Sequence, residues 1–389
     1  MRTRITPPLP RSTTGSTARS TAALAAGAAC LLLLTACGSP SSASDPSSAP
    51  TAATGKNGDA PPKALAGTAD IPRVPVPRGK GSRTADDFNG DGNRDLVIDD
   101  LVKAPQDSHG DDVGIGVVYG SGDGGLDPAA RQLLSARTHA AKSGDTLPVA
   151  FDAQAACDLD ADGFTDLVVA TDPPYNGIGR PPIPLQVLFG SPEGLTGKAV
   201  TLRIPDRARF GNEWPDHPVC GDFDGDDRTD LAVTAGEGRI SYLRGPFTRA
   251  GAPRAAASLP GGGPYLAAPE PRADTNGDGY DDLVHSAKPL RPGTAATATL
   301  LLGSATGPAR PGGTYRVKAP AHGVPTAPVR SGSGPTETTL LRYADFDGDK
   351  KPDTAVRTYR GEETDLIALY PSTTPDRPRL TFSTALFLP

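Results

Sequence analysis

Apolar residues in this chain come in short bursts. Runs such as GIGVVYGSGDGGL (114–126), PLQVLFGSPEGL (184–195), RISYLRGPF (239–247), TATLLLGSATG (297–307) and DLIALYPS (365–372) end on small or turn-forming residues. None sustains the 3.6-residue spacing of an amphipathic helix, so they read as strands. The 46 glycines and 42 prolines suit a chain that turns often. Between residues 149 and 204 the pattern resolves four strands: VAFDAQAAC, LVVAT, LQVLFGS and VTLRI, with an acidic turn between the first two. The fold class is therefore all-β.

That acidic turn recurs. DDFNGDGNRDLVI (86–98), CDLDADGFTDLVVA (157–170), GDFDGDDRTDLAVT (221–234), ADTNGDGYDDLVHS (273–286) and ADFDGDKKPDTAVR (344–357) share one spacing of acids. Their first aspartates are Asp87, Asp158, Asp222, Asp274 and Asp345, at intervals of 71, 64, 52 and 71 residues. An apolar strand follows each turn in the same phase, and the turn residue that ends it stands 23 to 33 residues after the first aspartate. Four short strands per unit, repeated with a period above about 40, predict a β-propeller, because no unit buries both faces alone. Residues 72–389 hold five such units, so five four-stranded blades are expected.

One apolar run lies outside this scheme. TAALAAGAACLLLLTA (21–36) follows a segment with Arg2, Arg4, Arg11, Arg19 and no acid, as in an export signal. It ends in Leu34-Thr35-Ala36-Cys37, which resembles the lipobox of bacterial lipoproteins. The resemblance implies cleavage before Cys37, a diacylglyceryl group on its sulfur and anchorage on the outer face of the cytoplasmic membrane; an ordinary secretory signal is the alternative. The chain thus divides into a signal peptide (1–36), a lipidated cysteine with a Ser/Pro/Ala-rich tether (37–71) and the propeller (72–389). Removing the signal takes four arginines and no acids, leaving 35 basic against 45 acidic residues. A net charge of −10 without a basic block excludes nucleic acid as a partner and suits divalent cations. Cys157 and Cys220 remain as a pair in an exported chain, where a disulfide and two buried thiols are both open.

Position by position, the acidic turns look like loops that wrap a hard cation. Ca²⁺ takes six to eight oxygens, and closely spaced Asp and Asn side chains supply them. Side-chain ligands would stand at positions 1, 3, 5 and 9. In the first loop these are Asp87, Asn89, Asp91 and Asp95; in the second, Asp158, Asp160, Asp162 and Asp166; in the third, Asp222, Asp224, Asp226 and Asp230. The fourth offers Asp274, Asn276, Asp278 and Asp282, and the fifth Asp345, Asp347, Asp349 and Asp353. Position 7 would add a backbone carbonyl, from Asn93, Phe164, Arg228, Tyr280 and Lys351. The absence of imidazole and thiolate ligands disfavours zinc and copper. An EF-hand is excluded because position 12 is Ile98, Val169, Val233, His285 or Val356, inside a strand, where that loop needs Glu. Position 6 requires a left-handed turn, easy for glycine and costing about 1–2 kcal/mol for Lys350. The fifth loop, which also carries Pro352, is expected to bind calcium most weakly.

Together the D-x-[DN]-x-D-G-x-x-D-L loops and the V-x-V-L-x-G-S strands resemble the FG-GAP/VCBS repeat family, whose fold relative is the integrin α-chain propeller. The resemblance covers about 80% of the chain and implies a calcium-stabilised binding or adhesion module on the cell exterior. Family members usually have seven blades, from which this chain departs.

Nothing in the sequence assembles an active site. His109, His139, His217, His285 and His322 lie scattered, no G-x-S-x-G elbow appears, and GGGP (261–264) lacks the Lys-Ser/Thr of a phosphate cradle. The most distinctive loop, RFGNEWPDHPVC (209–220), holds Trp214 beside Glu213, Asp216 and His217. The bland reading, with Trp214 plugging a blade interface, is preferred here over contact with a glycan or peptide. The loops HAAKSGDT (139–146) and DPPYNGIGRPP (172–182) are further surface candidates. The expected function is a monomeric, lipid-anchored, calcium-binding propeller that binds an extracellular glycan or protein, without enzymatic activity. A polysaccharide lyase or hydrolase is the alternative, and would need Tyr175, Arg180 and His217 to converge in one cleft.

Overall fold

The computed structural model describes residues 71–99, 101, 114–122, 125–291, 293–320, 322–325, 337–360 and 363–388. Residues 1–70, which hold the expected signal peptide, Cys37 and all but the last residue of the expected tether, lie outside these residues. The described chain forms a five-bladed β-propeller. Its first sheet comprises β1 (Leu96–Ile98), β2 (Ile115–Ser121) and β3 (Gly125–Leu134); its second, β4 (Phe151–Cys157), β5 (Asp166–Thr171), β6 (Leu185–Leu188) and β7 (Val200–Thr201). The third is β8 (Val219–Gly221), β9 (Asp230–Ala235), β10 (Arg239–Arg244) and β11 (Ala255–Leu259). β12 (Tyr265–Ala267), β13 (Leu283–Ser286), β14 (Ala296–Leu302) and β15 (Arg310–Val317) make the fourth. β16 (Glu337–Ala344), β17 (Asp353–Arg360), β18 (Glu363–Tyr370) and β19 (Leu380–Ser383) make the fifth. Within each sheet, sequence neighbours pair antiparallel. The four strands expected between residues 149 and 204 are all present.

The first sheet has three paired strands among the described residues. Its innermost place is marked by Asp86, whose carbonyl accepts the Asp95 N–H at 2.8 Å. The chain before it leaves the ladder and crosses the first acidic loop instead. There Gly79 and Lys80 donate to the Asn89 and Gly90 carbonyls at 3.0 Å, and Ser82 donates to the Gly163 carbonyl at 2.7 Å. Gly79 is required for that crossing, since a Cβ would sit 1.9 Å from the Gly90 backbone. A cavity of about 150 Å³ remains beside β1, bounded by Val97, Ala153, Ala155 and Leu341.

Cores lie between blades, as radial packing requires. Leu167, Val169 and Leu188 meet Val117, Tyr119 and Leu134 at the first–second seam. Leu96, Ile98 and Val118 meet Ile367, Phe382 and Phe387 where the ring closes between the fifth blade and the first. Val168, Val187 and Leu202 meet Leu231, Val233 and Leu243 at the second–third seam, where a disulfide joins Cys157 to Cys220 across 6.3 Å between Cα atoms. Cys157 ends β4 and Cys220 lies within β8, so the bridge ties the inner strands of two adjacent blades.

Antiparallel order places the turns between first and second strands, and between third and fourth, at one end of the propeller. The remaining connections lie at the other end. All five acidic loops therefore share one end.

Candidate metal centres

In the second to fifth blades the acidic loop is the turn between the first and second strands, in the first it leads into β1, and each loop's backbone is held by its own carboxylates. At position 1, Asp87 accepts the Asp91 and Gly92 N–H groups at 3.2 and 2.7 Å. Asp158 accepts from Asp162 and Gly163, and Asp222 from Asp226 and Asp227, at 2.9–3.1 Å. Asp274 takes Gly277 and Gly279, and Asp345 takes Gly348 and Lys350, at 2.7–3.0 Å. Position 5 then accepts the position-7 amide: Asp91 from Asn93, Asp162 from Phe164, Asp226 from Arg228, Asp278 from Tyr280 and Asp349 from Lys351, at 2.8–3.2 Å.

Position 6 adopts the left-handed conformation in every loop, with φ between 59° and 89° at Gly92, Gly163, Asp227, Gly279 and Lys350. Position 4 does so too, at Gly90, Ala161, Gly225, Gly277 and Gly348 (φ 61–78°). The second requirement was legible in the repeated glycine, yet hidden by Ala161 in the one loop that breaks it.

Position 9 does more than offer an oxygen. Asp95 accepts the N–H groups of Phe88 and Gly120, both at 2.8 Å, and Asp166 those of Leu159 and Gly190 at 2.9 Å. Asp282 binds the Thr275 and Gly303 amides, and Asp353 those of Phe346 and Ser372, at 2.9–3.0 Å. In the third loop Asp230 accepts the Gly245 amide at 2.9 Å and the Tyr242 hydroxyl at 2.6 Å. Each of these carboxylates ties the loop to the end of its blade's third strand. A second clasp crosses between blades. The position-2 carbonyls of Phe88, Leu159 and Phe223 accept the N–H groups of Ser191, Phe247 and Ser304 from the next blade, at 3.3, 2.7 and 3.1 Å.

Burial makes these acids expensive without positive charge nearby. It raises the Asp87, Asp158, Asp222 and Asp353 carboxyls above their ordinary value and holds Asp95 well above it. Burial, followed by repulsion from Asp162, pushes Asp160 up to about 6. Burial likewise pushes Asp166 up to about 8 and Asp230 up to about 6. Asp274 behaves oppositely, because its exposed carboxylate is lowered by the Gly279 amide and its neighbours.

A cation fits this donor set. Carboxylate oxygens of positions 1, 3 and 9 lie within 4.8 Å of one another in Asp158, Asp160 and Asp166, in Asp222, Asp224 and Asp230, and in Asp345, Asp347 and Asp353. At position 3, Asn89 Oδ1, Asp160 Oδ1 and Asp224 Oδ1 are buried and accept no hydrogen bond. Three equivalent acceptors left unpaired among all-oxygen donors suit a hard divalent ion.

At the opposite end the structure corrects the expectation for Trp214. It does not plug a blade interface: it is 43% exposed and meets the half-exposed Tyr175 edge-on, with ring centroids 6.2 Å apart. Of the seven exposed large apolar side chains among the described residues, six (Val149, Tyr175, Ile178, Phe210, Trp214 and Tyr359) lie at this end, away from the acidic loops. Arg180 pairs with Asp206, while His217 packs against Tyr265 with ring planes inclined at 59° and centroids 4.8 Å apart. Tyr175, Arg180 and His217 are thus engaged with different partners.

Fold and loops together define a class: a five-bladed propeller with acidic hairpin loops, at least three of them with oxygens clustered closely enough to hold a metal ion. No protein-family model matches the chain, and no curated protein shows significant similarity to it.

Proposed function

We propose that this chain is an exported, lipid-anchored propeller of the FG-GAP/VCBS type that binds an extracellular ligand, with calcium as its structural ion. The observation that carries this reading is the division of the molecule into two ends. Acids, unpaired oxygens and interblade clasps gather at one end, where an ion would brace the blade joints. Exposed aromatics gather at the other, around Tyr175 and Trp214, where an apolar face with Glu213, Asp216 and Arg180 nearby suits a glycan. Aromatic faces stack on sugar rings, and planar polar side chains bind their hydroxyls. The separate engagements of Arg180 and His217 favour a binder over a lyase.

Equilibrium dialysis of the chain against calcium should give several bound ions, and a glycan array should give hits that Trp214→Ala abolishes without lowering the melting temperature. Turnover of a polysaccharide in the presence of calcium would overturn the binder reading. A chain that retains no calcium would overturn the structural role of the ion.

A further inference from the structure

The five loops differ at position 3, and their arginines follow the difference. Loops two, three and five carry Asp160, Asp224 and Asp347 there, whereas loops one and four carry Asn89 and Asn276. Arg249 Nε lies 2.5 Å from Asp160 Oδ2, and the same guanidinium reaches Asp162. Arg244 Nη2 lies 2.6 Å from Asp224 Oδ2, and Arg254 Nη2 lies 2.5 Å from Asp226 Oδ2. Arg379 Nη1 approaches Asp347 Oδ2 at 3.4 Å. Among the described residues no guanidinium touches position 3 or 5 of loops one and four. Every aspartate at position 3 has an arginine, and neither asparagine has one.

In loops two and three the contact is one-sided. The arginine takes Oδ2, while Oδ1 is buried without a partner, on side chains only 8% and 4% exposed. At the four ligand positions, the aspartates of loop two and their partner Arg249 sum to −3, the charge that Asp87, Asp91 and Asp95 give the same positions of loop one beside neutral Asn89. Loop three carries a fifth acid, Asp227 at position 6, beside its own Arg228, and it is the loop whose acids a second arginine from outside, Arg254, reaches.

We propose that position 3 is a charge-setting position: an Asp–Arg pair there is the electrostatic equivalent of Asn, and it tunes the calcium affinity of its loop. This rests on the calcium reading above. Ligand charge is a main determinant of calcium affinity, so a fourth uncompensated carboxylate would tighten binding. It would also repel its neighbours whenever calcium is scarce. The arginine gives up affinity to remove that repulsion. In loop two it arrives from the turn after β10, so the same guanidinium joins the third blade to the second.

Amide NMR resolves the loops individually, with Gly163 reporting loop two and Gly92 loop one in a single calcium titration of the full chain. Arg249→Met should tighten loop two about tenfold and Asp160→Asn weaken it about tenfold, by loop charges of −4 and −2. The double variant should return to within about threefold of wild type, as should Arg249→Lys, while Gly92 titrates unchanged throughout. In chelator, Arg249→Met should melt below wild type. The proposal falls if Arg249→Met weakens loop two or leaves its affinity unchanged. It falls equally if the double variant stays as weak as Asp160→Asn alone, since the arginine would then only position the aspartate. A wild-type chain whose Gly163 and Gly92 signals ignore calcium refutes the calcium reading itself. Calcium-responsive wild type with a failed cycle refutes the charge rule alone.

Discussion

The second–third seam and the fourth–fifth seam are built to different standards. The second and third blades share one continuous cluster, with Val168, Val187, Leu231, Val233 and Leu243 each fully buried. They are also joined by Cys157–Cys220, by the Phe247–Leu159 backbone clasp and by Arg249 on Asp160. Among the described residues the fourth and fifth blades instead form separate small clusters, Val284, Ala298 and Leu300 on one side, and Leu340, Val356, Ala368 and Tyr370 on the other. A ring opens at its weakest joint. The contrast therefore predicts where local unfolding begins, and which interactions can move it elsewhere.

The bluntest way to break the contrast is to remove the disulfide. Cross-links of this kind stabilise by about 2–4 kcal/mol, mainly by restricting the unfolded chain. The pair spans 63 residues, long enough for that term to matter. Cys157→Ser with Cys220→Ser should lower stability by about that amount in urea unfolding while the propeller still forms. If unfolding then begins at the second–third seam in hydrogen exchange, the bridge made the difference. If the fourth–fifth seam still opens first, packing did.

Calcium withdrawal is the next largest perturbation. An ion at a hundredfold its dissociation constant contributes about 2.7 kcal/mol per site, so chelation should lower the melting temperature. Hydrogen exchange should rise soonest along β12 and β16, which border the thinly packed seam. Stability in chelator should also depend on pH. Asp166 sits at about 8, and Asp160 and Asp230 at about 6, against an ordinary value of 3.8. Between pH 4 and 8 the folded state therefore holds more protons than the unfolded chain. The contribution of these three groups is fully present below pH 4 and is lost as pH rises through these values. Calcium should flatten the slope, and a chelated chain that gains stability over this window would contradict the account.

Much of this was readable in the sequence, for a physical reason. Short apolar runs between turn residues and a repeated acidic turn are local signals, and they placed β4 to β7 within two or three residues and five units in the ring. The loop acids were equally legible, because their spacing is set by one short turn. What stayed hidden was relational. Arg244 closes the third strand of its blade, and Arg249, Arg254 and Arg379 lie in turns between third and fourth strands; only the blade geometry carries them to the loops. The alternation of Asp and Asn at position 3 was the one visible trace of them. Trp214 was misjudged because a lone tryptophan is usually buried, and its partner Tyr175 lies 39 residues earlier, across the second blade.

Ala161 offers the finest test of the comparison. It occupies position 4 of loop two at φ 61°, where the other four loops place glycine. A left-handed Cβ costs about 1–2 kcal/mol, part of which glycine returns through its greater freedom in the unfolded chain. Ala161→Gly should therefore stabilise the protein by about 0.5–1 kcal/mol in urea unfolding. The alanine survives in the loop that is over-determined by disulfide, clasp and arginine, where strain can be held. The reciprocal substitution probes the other end of the contrast. Gly277→Ala, in the fourth blade, has open space around its Cβ and φ 76°, so it carries the same backbone strain without those supports. It should cost at least as much as Ala161→Gly gains and should loosen its loop measurably in hydrogen exchange. If Gly277→Ala proves silent, the thin seam tolerates strain as well as the thick one, and the two regions are not differently built where it matters.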